Sequence, residues 1–223
     1  MTSTLEAQIQ AAEREWLDSW KSGPTQLCWS TLPPQVGDHA PDFELQDASG
    51  QFVHLQDFWR DRPALLLFWR HYGCGCGLAR ASRLQREYAD YTGAGASVVI
   101  IGQGEPERSA AYAQKYQLPP CPVLCDPQLQ VYQAYGLLEG KPSQVVYSAG
   151  DAFLRCDYEA GVKLAKARRE AGRPAVDNPW QLPGEFVVQP GGIIRLAYRY
   201  QYCEDYPNPL VLRAAIKEAV AAE

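Results

Sequence analysis

The sequence predicts an α/β fold: a central mixed sheet flanked by helices. Three observations carry this. Pro63-Ala-Leu-Leu-Leu-Phe-Trp69 and Ser97-Val-Val-Ile-Ile-Gly102 are short, nearly unbroken apolar runs, the pattern of strands buried on both faces. Each is followed by a segment that reads as a helix, and strands alternating with helices imply a parallel layer with right-handed crossovers. Turn signatures at Ser49-Gly50 and Pro190-Gly-Gly192 add hairpins, hence antiparallel pairs.

In chain order, Leu5, Ile9, Ala12, Trp16 and Trp20 share one face of an amphipathic helix that Gly23-Pro24 ends. Residues 1–35 form an N-terminal helical extension. Its aromatic face packs against its own domain, the expected outcome, or against a second copy in a homodimer. Residues 36–223 form the main domain. Two short strands, one in the run Gly37 to Leu45 and one in Phe52 to Phe58, flank the turn at Ser49-Gly50. After the strand Pro63 to Trp69, Leu78, Ala81, Leu84, Tyr88 and Tyr91 define a helix. Pro106 opens another, ending near Gln117. Pro122-Val-Leu-Cys125 is a short strand, Asp126-Pro127 an N-cap and first-turn proline, and Gly136 a stop. Residues of about 137–182 form an insert before the last hairpin, with a strand around Gln144 to Tyr147 and a basic helix from Tyr158 to Ala171. Lys163, Lys166, Arg168 and Arg169 make that helix most simply a solvated face, with anion binding as the other reading. Glu185 to Gln189 and Ile193 to Tyr198 are the closing hairpin. Asn208-Pro209 starts a final helix with Leu212, Ala215, Ile216 and Val220 facing inward.

The chemistry concentrates in Arg70-His-Tyr-Gly-Cys-Gly-Cys-Gly77, between a buried strand and an amphipathic helix. A sharp glycine-rich turn there puts thiols at a helix N-terminus, where unpaired N–H groups and the dipole favour negative charge. Such a setting brings a cysteine from about 8.5 to ~3.5–7.5, and the thiolate is the nucleophile. Arg70 and Arg80 add to the effect. A lone buried cysteine is most simply a packing residue. Two thiols among Gly73, Gly75 and Gly77 fit packing poorly, because glycine contributes none. The stretch therefore reads as a redox site.

Composition sets the limits. The 223-residue chain is 46% apolar and 21% charged, ordinary for a globular protein able to bury one core. Its net charge of −5, with no basic block, argues against a nucleic-acid partner. No stretch is long and apolar enough for a membrane span, and no basic-then-apolar leader opens the chain. Seven scattered cysteines differ from a dense disulfide framework, so a cytoplasmic location with resting thiols reduced is expected.

Gly37-Asp-His-Ala-Pro-Asp-Phe-Glu-Leu, Ala-Ser-Gly50, Leu55-Gln-Asp-Phe58, the helix after Pro106, Asp126-Pro127 and Tyr135-Gly136 together resemble redoxins. The resemblance is to the peroxiredoxin-like branch of the alkyl hydroperoxide reductase/thiol-specific antioxidant family. Phe68-Trp-Arg-His-Tyr-Gly-Cys74 and Asn178-Pro-Trp-Gln-Leu-Pro-Gly-Glu-Phe186 carry it further. It implies a thioredoxin-like, peroxiredoxin-type fold and an antioxidant thiol-based oxidoreductase. The partners it implies are a peroxide or disulfide substrate and a thiol reductant such as a thioredoxin or glutathione system, with no cofactor. Cys74 matches the first cysteine of the redoxin Cys-x-x-Cys; Gly77 holds the second place and Cys76 falls one residue early. Peroxiredoxins carry Pro-x-x-x-Thr/Ser-x-x-Cys, and Leu67 and His71 stand at its proline and hydroxyl positions. Pro183 matches the proline that thioredoxin-like folds hold in cis beside the active cysteine; an ordinary loop proline is the other reading.

Cys74 is thus the expected nucleophile and Cys76 the nearest resolving thiol, with Cys203 and Cys28 as alternatives. A disulfide across one residue is geometrically demanding, and Gly75 widens the backbone choices. His71 either donates a proton and supports the thiolate when charged, or simply packs. Two rival classes remain: four thiolates from Cys74, Cys76, Cys121 and Cys125 holding zinc or an iron–sulfur cluster, and a non-catalytic thioredoxin-like protein. The insert is expected to cover one rim of the cleft around Cys74.

Overall fold

The structure, a computed structural model, describes residues 2–222. Helix α1 (Thr2–Ser22) comes first. Strands β1 (Glu44–Asp47) and β2 (Phe52–His54) form the first hairpin, whose turn is fixed by the Asp47 carboxylate accepting from the Ser49 and Gln51 N–H groups at 2.8 and 3.0 Å. A 3₁₀ turn, Leu55–Trp59, leads to β3 (Ala64–Phe68), then α2 (Gly75–Gly93), β4 (Ser97–Gly102), α3 (Pro106–Lys115) and β5 (Val123–Cys125). Short helices α4 (Gln130–Ala134), α5 (Pro142–Val145) and α6 (Asp151–Leu154) precede α7 (Tyr158–Glu170). The chain closes with β6 (Gly184–Val188), β7 (Ile194–Arg199) and α8 (Pro209–Ala221).

The seven strands form one mixed sheet in the order β2-β1-β5-β4-β3-β6-β7. β3, β4 and β5 run parallel, while β6 lies antiparallel to β3 with Phe68 opposite Gly184. Every residue of β3 is buried, as its unbroken apolar run requires. Alternation then divides the core between the faces. Leu65 and Leu67 join Val98, Ile100, Leu84 and Ile216 on one side. Leu66 and Phe68 join Val99, Ile101, Tyr132 and Phe186 on the other.

A third cluster stacks Trp16, Trp20 and Trp180, so the aromatic face of α1 is spent within its own chain. Gly161 of α7 sits against the Trp20 ring, so closely that a Cβ there would collide with the indole.

Three local expectations are corrected. Gln144 to Tyr147 form no strand, and residues 142–145 are helical: Pro142 takes a first-turn position, where its missing N–H costs nothing, and the Gln144 amide oxygen accepts from the Lys141 N–H at 2.8 Å. Asp126 does cap α4, accepting from Gln130 and Val131 at 3.0 and 2.8 Å, but Pro127 lies in the preceding turn rather than the first helical turn. In α8 the inward stripe is Leu212, Ala215, Ile216 and Ala219; Val220 is 40% exposed.

Candidate redox site

β3 delivers the chain to a buried turn, Arg70 to Gly73, closed by the Cys74 N–H donating to the His71 carbonyl at 3.0 Å. Cys74 is the N-cap of α2 in extended conformation, and Cys76 lies within its first turn. The helix begins at Gly75, three residues ahead of Leu78, the first residue of its apolar stripe. The sulfurs of Cys74 and Cys76 are joined in a disulfide, with Cα atoms 5.3 Å apart. Both residues are buried, 7% and 4% exposed, and Cys203 packs with them as a third sulfur.

The segment following α7 lies over this turn. A Cβ at Gly73 would collide with the Pro174 carbonyl oxygen, so glycine there permits the close approach. The Tyr72 N–H donates to the Asp177 carboxylate at 3.0 Å, and Asp177 is paired with Arg108 at 2.6 Å. Arg70, 3% exposed, donates its Nη groups to the carbonyls of Pro179 and Gln181. On the opposite side Arg80 of α2 pairs with Glu185 of β6 at 2.9 Å, and Tyr200 donates to the same carboxylate oxygen at 2.6 Å. The Tyr206 hydroxyl donates to the Cys76 carbonyl at 2.6 Å.

Burial, with no carboxylate beside it, pushes Arg70 down to about 10. Burial is also the largest influence on Arg80 and disfavours its charged form, but Glu185, Tyr200, Tyr91 and Glu87 together outweigh it and the net shift is upward. His71 is fully buried, and neither ring nitrogen has a partner. Burial first, then Arg70, Arg168 and Arg173, hold its pKa well below the usual value, so the imidazole is neutral. The expectation of a charged His71 supporting the thiolate is therefore overturned, and the packing alternative stands. Arg80 has carboxylates at both Glu87 and Glu185, so of the two arginines only Arg70 is a cation without a counterion.

The other cysteines lie apart. Cys28 is exposed in the stretch after α1. Cys125 ends β5, with β4 between it and β3, and its thiol contacts the Ser109 hydroxyl at 3.3 Å. Burial pushes the nearby Cys121 up to about 12, away from the thiolate a metal would need. Among the described residues no group of three or more His, Cys, Asp or Glu side chains is placed to hold a metal ion, so the proposed four-thiolate centre does not assemble. No peptide bond among them is cis, which leaves Pro183 a trans proline before β6, beside Cys76 and Cys203 in the same small cavity. The contacts made by Arg70, Glu185 and Tyr206 were not legible in the sequence as site features. Only the motif running from Asn178 to Phe186 hinted that this segment returns to the turn.

The profile of the AhpC/TSA family matches residues 36–197. A thioredoxin-like protein, AAED1 of Arabidopsis thaliana chloroplasts, is 25% identical over 159 residues, which cover 70% of this chain and 62% of that protein. Peroxiredoxin Bcp of Escherichia coli is 30% identical over 105 residues, covering 47% of this chain and 66% of its own. The chain thus spans less than two thirds of the length of these curated relatives. The crystal structure of peroxidoxin BcpB from Mycobacterium tuberculosis superposes over 84% of this chain and 95% of that one, with a TM-score of 0.54 and 17% identity. That likeness establishes the thioredoxin-like, peroxiredoxin-type fold. With the family profile spanning the sheet from β1 into β7, the chain belongs to the AhpC/TSA family.

Proposed function

We propose that the protein is a thiol-dependent oxidoreductase of antioxidant type, in which Cys74 attacks the oxidant and Cys76 resolves the product. One observation carries this reading: Cys74 caps α2 and its sulfur is bonded to Cys76 across a single glycine. At the N-cap of a 19-residue helix, a reduced Cys74 faces unpaired N–H groups and the positive end of the dipole, which stabilise its thiolate. Attack on a hydroperoxide oxygen gives a Cys74 sulfenic acid and releases an alcohol or water. Attack by Cys76 then expels water and closes the disulfide. A thiol reductant of thioredoxin or glutathione type, in a reducing cytoplasm, would reopen it.

Burial narrows the substrate class. Sulfurs on residues 7% and 4% exposed favour a small hydroperoxide or a low-molecular-weight disulfide over a protein disulfide. Leu67 and His71, where peroxiredoxins place a proline and a hydroxyl, offer no group to hold a peroxide, so oxidant recognition here rests on other contacts.

The test is mass spectrometry of the reduced protein before and after stoichiometric hydrogen peroxide. Loss of two hydrogens within the peptide holding Cys74 and Cys76 is expected. An unchanged peptide under peroxide, with small disulfides also unreactive, would sink the proposal.

A further inference from the structure

Cys203 is a buried nucleophile that the reaction above does not use. It is 6% exposed and shares one cluster with Cys74 and Cys76. Its N–H donates to the Gln144 carbonyl at 3.1 Å and its thiol lies 3.6 Å from the Val145 carbonyl, so α5 holds it in place. A void of ≈ 10 Å³ is lined by both Cys76 and Cys203, together with Arg70, Arg80, Glu185 and Tyr206. Three of these lining residues carry a buried polar atom without a partner: Arg70 Nε, Arg80 Nη2 and Glu185 Oε2.

Arg70 is the informative member. It is a buried cation with both Nη groups on carbonyls, its Nε unused, and no carboxylate beside it. A buried charge without a counterion is costly. Glu185, which lines the same void, is already paired with Arg80, and the anions left for Arg70 are the thiolates that appear when the disulfide opens or moves. A cysteine that only packs needs no cation beside it. Burial pushes the Cys203 thiol up, and Arg70 is the first of the groups that oppose that shift.

We propose that Cys203 is a third redox thiol that takes over the disulfide from Cys74; this rests on the Cys74–Cys76 reading above. The Cys203 thiolate forms a new S–S bond to Cys76 Sγ. The Cys74–Cys76 bond breaks, and its electron pair leaves on Cys74 Sγ, which ends with the proton that Cys203 gave up. No oxidant or reductant is consumed. The exchange replaces a disulfide that closes a one-residue loop by one that ties α2 to the turn after β7. Cys74 is then free again at the helix N-cap while the chain is still oxidised. A second oxidant molecule can react there before any reductant arrives, leaving a sulfenic acid beside a stored disulfide.

The experiment uses the full chain, oxidised with one equivalent of hydrogen peroxide, alkylated under denaturing, non-reducing conditions and digested with trypsin. The expected product is a disulfide between the peptide of residues 71–80 and that of residues 200–213, with Cys74 carrying the alkyl group. Peroxide titration should show about twofold more oxidant consumed per wild-type chain than per Cys203→Ser chain. In Cys74→Ser, oxidised with a small disulfide, the Cys76–Cys203 link should be the main product. If wild type gives only the disulfide within residues 71–80, with Cys203 fully alkylated and peroxide consumption equal to that of Cys203→Ser, the relay is overturned and the Cys74–Cys76 reading stands. If wild type forms no disulfide at all, both fall. The wild-type measurement needs no variant, so misfolding of a substituted chain leaves its outcome untouched.

Discussion

In the proposed reaction, the two positions that separate Cys74 from Cys76 set which thiol attacks and which resolves. Only the attacking thiol needs a stabilised thiolate, whereas the resolver needs proximity. Cys74→Ser should therefore abolish reaction with peroxide, while Cys76→Ser should still react once and accumulate sulfenic acid or a mixed disulfide. Alkylation rate against pH, with a peroxidase assay on both variants, distinguishes them; full activity in both would move the site elsewhere. His71 yields a separate prediction. Its folded pKa lies well below the unfolded value of 6.5, so below 6.5 the unfolded chain binds a proton that the folded one refuses. Stability is complete above that value and falls as pH drops from it towards the lowered folded pKa, by up to about 1.4 kcal/mol per pH unit. Urea midpoints between pH 7 and pH 5 should show this slope, and His71→Phe should flatten it. The N-cap role of Cys74 was legible from glycines and a following apolar period. The neutrality of His71 was not, because it depends first on tertiary burial and then on Arg70, Arg168 and Arg173, the last two about a hundred residues away in sequence.

Elements meet at the site through ion pairs that no local pattern announces. Arg80 on α2 and Glu185 on β6 are 105 residues apart, yet their side chains are 8% and 3% exposed and 2.9 Å from each other. Breaking such a pair from one side strands a buried charge, at a cost of about 3–5 kcal/mol. Arg80→Met, which leaves Glu185 without a cation, should lose that much in chemical denaturation, and the paired change Arg80→Met with Glu185→Leu should recover most of it. An Arg80→Met chain within 1 kcal/mol of wild type (roughly the worth of a surface pair) would show the contact to be incidental. The same distinction explains what was legible among the elements. β3, β4, α2 and both hairpins follow from period and turn residues, which act over a few positions. The segment 144–147 was misread because Val145 and Val146 suggest a strand, while Pro142 and the Gln144–Lys141 contact favour a helical turn. The return of residues 173–181 over the cysteine turn is a matter of tertiary contact, which Gly73 permits but does not announce.

At the scale of the molecule, α1 reaches the redox site without touching the cysteines. Trp20 stacks on Trp180 with ring centroids 4.9 Å apart, and the Trp180 Nε1–H donates to the Ser19 carbonyl at 2.8 Å. The Trp20 Nε1–H donates to the Asp157 carbonyl at 3.1 Å, at the start of α7. One helix thus clasps both ends of the segment from 157 to 180, whose interior includes Pro174 against Gly73 and Asp177 against Tyr72. If that clasp keeps the disulfide buried, loosening it should change chemistry as well as stability. Trp20→Ala removes a fully buried indole, a loss of about 3–5 kcal/mol, and frees the segment to open locally. Reduction of the Cys74–Cys76 disulfide by dithiothreitol under native conditions should then be faster than in wild type. The control is a variant destabilised to the same degree away from this segment, such as Leu212→Ala in α8, which should reduce at nearly the wild-type rate. Equal acceleration in both variants would mean that global unfolding governs access. No acceleration in Trp20→Ala would mean that oxidant and reductant reach the sulfurs by a path that the N-terminal helix does not guard.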